Sequence, residues 1–109
     1  MSQKLSEKVC EPCKGGVPPL TANEISPLLN ELGNNWEAID NHHLYKKFTF
    51  NDFVTALAFV NKVGELAEDV GHHPNISFTW GIVEISIWTH KINGLNEADF
   101  ILAAKMDHL

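Results

Sequence analysis

Residues 72–90 read HHPNISFTWGIVEISIWTH, and the fold follows from this stretch. Ile76, Phe78 and Trp80 alternate with Ser77 and Thr79, the two-residue period of a half-buried strand. Gly81 interrupts the run. Beyond it Val83, Ile85, Ile87 and Thr89 alternate with Glu84, Ser86, Trp88 and His90. Two such strands joined by a tight turn form an antiparallel hairpin with one buried and one wetter face. His72 and His73 stand where the hairpin begins and His90 where it ends, so the fold can bring imidazoles from both ends together.

On the N-terminal side of the hairpin lies the clearest helix in the chain, from an Asn51 cap to about Val70, with Gly71 as its stop. Phe53, Ala56, Leu57, Val60, Val63 and Ala67 form its apolar stripe, which Phe59, Leu66 and Val70 widen to about half the circumference. That is more than one core contact needs, so the helix is expected to pack against a second subunit as well. Glu68 lies at the edge of the stripe, near the histidine pair. Further upstream, residues 36–39 and 44–50 read as two strands around an Asp40-Asn41-His42-His43 turn. Thr21 to Glu24 has the capping-box pattern, with Leu20 placed to staple onto Ile25, and opens a helix that Gly33 ends. Pro27 either kinks this helix or marks a later start capped by Ser26.

Downstream, Asn96 to Asp99 begins a last helix with acidic residues in its first turn and apolar residues from Phe100 to Met106. The order α-β-β-α-β-β-α predicts an α+β domain over residues 20–109, a four-stranded antiparallel sheet with helices on one face. Residues 1–19 read as an extended arm, rich in Pro and Gly. Both cysteines, Cys10 and Cys13, fall in that arm. Two thiols alone do not complete a structural zinc site, and this pair lacks the strand and helix of a redox motif. A reduced arm is the plain reading, and a metal or redox contact with a partner chain is the other.

With 109 residues the chain has room for one modest core. Its net charge is −6 and its eight basic residues are scattered, which disfavours direct nucleic-acid binding. No apolar run approaches the ~20 residues that span a bilayer, and no signal-peptide pattern is present, so a cytoplasmic protein off the membrane is expected.

Six histidines are present. His42, His43 and His108 fall at a turn tip and near the C-terminus, where solvent-exposed polar filler explains them. His72, His73 and His90 flank the hairpin, and element ends are where scaffolds present functional groups. Three uses remain open for them on the residues alone. They are ordinary loop and strand-end histidines, or ligands of a three-histidine zinc site, or general acid–base groups, since imidazole gives and takes protons near neutral pH. Neighbouring side chains diverge, which makes His72 and His73 awkward as joint zinc ligands. Phe48, Phe78, Trp80 and Trp88 could wall a pocket for a small ligand, although aromatics at strand spacing more often fill a core.

The segment Glu68-Asp69-Val70-Gly71-His72-His73-Pro74, followed by Thr89-His90-Lys91-Ile92-Asn93-Gly94-Leu95-Asn96-Glu97-Ala98-Asp99, resembles the pterin-4a-carbinolamine dehydratases. Tyr45 to Phe53 also resembles the family's approach to its long helix, and the likeness runs from about Leu20 to Asp107. It implies dehydration of 4a-hydroxytetrahydrobiopterin, or a related pterin, to quinonoid dihydropterin, with neither metal nor cofactor, in recycling the cofactor of aromatic amino acid hydroxylases. By the same resemblance His72 and His90 carry acid–base transfer and His73 mainly binds substrate. Glu68, Thr89 and Asp99 are then substrate-binding or imidazole-orienting groups. A homodimer or homotetramer is implied too. The alternative function is a protein-interaction module, of the transcription-factor cofactor type, that retains a pterin pocket. Three features depart from the family: Gly71 before the histidine pair, Ile76 where an aromatic is common, and Trp80-Gly81 for a Tyr-Asn type pair.

Overall fold

A computed structural model describes residues 4–8 and 18–109. Cys10 and Cys13 lie outside the described residues. The first helix, α1 (Ala22–Leu32), starts at Thr21, whose hydroxyl accepts from the Glu24 N–H while Glu24 reaches back to the Thr21 N–H. This capping box fixes the early start, so Pro27 sits inside the helix and the alternative start at Ser26 is not used.

Strands β1 (Glu37–Ile39) and β2 (His43–Thr49) are joined by a turn in which Asp40 and Asn41 both take positive φ. Asp and Asn tolerate that conformation better than other side-chain-bearing residues. Next, α2 (Phe53–Val70) is capped by Asp52 rather than Asn51: the Asp52 carboxylate accepts from the Thr55 N–H at 2.8 Å. Gly71, in the left-handed conformation at φ 71°, ends it. The second hairpin, β3 (Asn75–Thr79) and β4 (Ile82–Ile87), stops short of Trp80. Trp80 therefore lies in the turn, 65% exposed, and does not continue the buried alternation of Ile76 and Phe78. His90 likewise opens a 3-10 turn, His90–Ile92, rather than ending a strand. The last helix is α3 (Glu97–Met106).

The sheet runs β1-β2-β4-β3, each neighbour antiparallel. Register places Leu44 opposite Ile87 and Phe48 opposite Val83, which in turn faces Phe78 across the second hairpin. Leu44, Val83, Ile85 and Ile87 are fully buried on this face, where the helices pack. All but two residues of α3 are buried, from Ala98 to Met106, so it is a central helix and not an amphipathic one. Its far side is covered from the N-terminal segment: Leu5, in a 3-10 turn over Leu5–Glu7, is buried in the same core, and Lys105 Nζ donates to the Ser6 carbonyl. Part of the segment read as an extended arm is thus folded against α3.

Candidate functional site

α3 carries one buried charge, Asp99, with no exposed surface. A buried carboxylate is tolerable only when donors surround it. Three do. His72 Nε2–H donates to Oδ1 at 2.5 Å, while the Thr89 hydroxyl and the Asn96 N–H donate to Oδ2, each at 2.9 Å. The last of these closes a capping box with Asn96, so one side chain both starts α3 and ties it to the two ends of the second hairpin.

His72 is buried just beyond the Gly71 stop, and the left-handed glycine turns the chain so that its ring meets Asp99. With Nε2–H committed to the carboxylate, Nδ1 is the nitrogen left for other chemistry, and it has no partner among the described residues. His73 points elsewhere, as adjacent side chains do, and its Nε2 contacts Glu68 Oε2 at 2.5 Å on the surface. His90 is exposed and lies against the Trp88 ring, with centroids 4.3 Å apart and planes at 37°.

The turn carrying His90 is closed at its base, where Thr89 and Gly94 exchange backbone hydrogen bonds. Gly94 cannot be larger, because an added Cβ would lie 2.5 Å from the Pro19 side chain. Gly71, His72, His73, Trp88, Thr89, His90 and Lys91 line one cavity of about 240 Å³. Four of the six expected site residues therefore share a cavity wall; Asp99 stands behind His72 and Thr89, and Glu68 touches the site only through His73.

Of the aromatics considered as pocket walls, only Trp88 lines this cavity. Phe48 and Phe78 pack against the core, and Trp80 is exposed at its turn. Lys91, which also lines the cavity, was not among the expected site residues. The larger omission is His42 and His43, which are not solvent filler. Both rings pack on Trp88, with centroids 5.3 and 5.9 Å away, and their Nδ1 atoms are 3.0 Å apart. Burial, and then the neighbouring His42, hold the His43 imidazole below its ordinary 6.5, against a smaller upward pull from Asp40. Pairing of β2 with β4 brings these groups beside the site, and no local pattern announces it.

The Pterin 4 alpha carbinolamine dehydratase family model matches residues 18–109. A protein of Rickettsia canadensis, named provisionally as a pterin-4-alpha-carbinolamine dehydratase, is 57% identical over 94% of this chain and 94% of its own length. One of Rubrobacter xylanophilus with the same provisional name is 56% identical over 97% and 98%. Among solved structures, a transcriptional coactivator/pterin dehydratase from Brucella melitensis superposes with a TM-score of 0.77 at 32% identity, covering 83% of this chain and 96% of that one. A pterin dehydratase-like protein described as a RuBisCO assembly factor matches with a TM-score of 0.53 at 31% identity, over 61% of this chain and 76% of the other.

Proposed function

Because the chain belongs to the pterin-4a-carbinolamine dehydratase family, we propose that it dehydrates a 4a-hydroxytetrahydropterin, such as 4a-hydroxytetrahydrobiopterin, to the quinonoid dihydropterin. The observation that carries this reading is the single cavity onto which His72, His73 and His90 open, with Asp99 behind His72. The reaction loses the 4a-hydroxyl as water. One proton must reach the leaving oxygen and one must leave N5, so the net proton count is unchanged. Two imidazoles on separate elements suit that exchange, since imidazole as a group can both donate and accept a proton through its two ring nitrogens.

His72 and His90 carry the two transfers in this reading. Asp99 holds the His72 ring in one orientation and one tautomer, the part a carboxylate plays beside histidine in other acid–base sites. His73, steadied by Glu68, binds substrate, and the Thr89 hydroxyl holds the second oxygen of Asp99. Trp88 offers a flat apolar wall suited to a planar bicyclic ring. The same reading places the protein in the cytoplasm, as a homo-oligomer, beside an aromatic amino acid hydroxylase whose spent cofactor it returns. Among the described residues no helix is long and apolar enough to cross a membrane.

A second reading is favoured by the Brucella and RuBisCO-assembly relatives, whose descriptions include roles other than catalysis. It makes the chain a protein-interaction module with an inherited pocket. The deciding measurement is the decay of freshly made 4a-hydroxytetrahydropterin, followed by rapid-mixing absorbance with and without a chelator. Wild type should accelerate the decay, with or without chelator. His90→Ala and His72→Ala should each lose about 10²–10⁴-fold of that rate. No acceleration over buffer would shift the assignment to the interaction module.

A further inference from the structure

Two of the contacts that His42 makes lead to His90. The His42 Nε2–H donates to Asn93 Oδ1 at 2.9 Å, and its ring packs on Trp88. Asn93 is the residue that closes the His90–Ile92 turn: it sits at φ 50° and its N–H bonds the His90 carbonyl at 3.1 Å. Trp88 is the ring against which His90 lies. The His90 side chain itself is exposed, and no hydrogen bond holds its ring among the described residues. What orients it must therefore act through its backbone turn and its stacking partner. His42 braces both.

The brace is itself braced. Asp40 and Asn41, both left-handed, set the turn, and the His42 N–H bonds the Ile39 carbonyl at 2.9 Å. With its Nε2–H given to Asn93, His42 presents an unprotonated Nδ1 to the Nδ1–H of His43, 3.0 Å away. The His43 ring in turn leans on the same Trp88.

We propose that His42 is a positioning residue for the reaction, holding the His90 imidazole at the cavity mouth through Asn93 and Trp88. The role as stated rests on the reading of His90 as an acid–base group. The orienting contact itself does not, and the test separates the two. The Trp88 ring current shifts the His90 ring protons, so their NMR positions report the stacking directly, without any assay of turnover.

The variants are His42→Ala, His42→Gln and Asn93→Gly. Glycine suits the positive φ at residue 93 and removes only the acceptor, leaving the 40–43 turn untouched. In H42A and N93G the His90 ring protons should move toward free-imidazole positions. Misplacing a reacting group costs rate far more than affinity, so kcat should fall about ten-fold while KM stays within about two-fold. H42Q can still donate to Asn93 Oδ1 and should recover most of both signals. His90 resonances unchanged in both H42A and N93G would overturn the proposal. Shifted resonances in a protein whose wild type does not accelerate dehydration would uphold the contact and remove its catalytic meaning, sinking the proposed reaction instead.

Discussion

Asp99 shows what one side chain can organise. Its two oxygens receive the end of α2 through His72, the end of β4 through Thr89 and the start of its own helix through Asn96. His43 shows the opposite case, a titratable group whose burial costs stability when it takes a proton. Its pKa in the folded chain lies below 6.5, chiefly through burial and then through His42. The unfolded chain therefore binds more protons in the window between 6.5 and that lowered value. The stability associated with neutral His43 is complete above 6.5 and falls as pH drops through the window. His43→Phe keeps a ring against Trp88 and cannot titrate. Urea midpoints measured at about pH 7.5 and about pH 5 should therefore differ less in the variant than in wild type. An equal difference in the two proteins would show that protonation of His43 is not opposed by its surroundings.

At the scale of elements, what the sequence makes legible is what local chemistry fixes. The Thr21–Glu24 capping box, the Gly71 stop and the alternation of Val83, Ile85 and Ile87 all involve neighbours within a few residues, and all appear where expected. Asn51 and Asp52 are both good caps, and only the built turn distinguishes them. Thr89, His72 and Asp99 could be marked as site residues by family resemblance, but not their convergence, which needs the hairpin folded against α3. His42 was invisible for the same reason: Trp88 reaches it only through the β2–β4 register. Gly81 belongs with these. The need for a turn there is local, but the need for glycine is not. Its φ is not the constraint; an added Cβ would lie 2.6 Å from the Phe50 carbonyl oxygen, which is backbone and cannot rotate away. The same segment is tied by the Phe50 N–H to the Gly81 carbonyl at 2.8 Å. Gly81→Ala should thus cost about 1–3 kcal/mol in urea unfolding, the range for forcing atoms into a packed site. A loss under a few tenths would mean that the β2 end can simply shift.

For the whole molecule, the question is what covers the first half of α2. Ala56, Val63 and Ala67 are buried against the sheet, yet Phe53, Val54 and Leu57 are 42%, 74% and 38% exposed. Of the stripe read from the sequence, Phe59, Leu66 and Val70 pack against the core, and the uncovered line is Phe53 and Leu57 joined by Val54, which lies outside that stripe. Phe53 leans on Phe78 of β3, an edge strand of the sheet, so the uncovered residues adjoin backbone groups that no strand among the described residues pairs. Scattered exposed hydrophobes need no explanation, but three on one helix face beside an unpaired edge do. A second copy of the chain meets both needs at once, in agreement with the homo-oligomer proposed above. Light scattering of wild type should then give a mass well above the 12.2 kDa of one chain. Val54→Glu with Leu57→Glu, both on the uncovered line, should lower it toward that value while leaving the circular dichroism unchanged. A wild-type mass of one chain would refute self-association through this face, and the exposed residues would then have to serve a different protein.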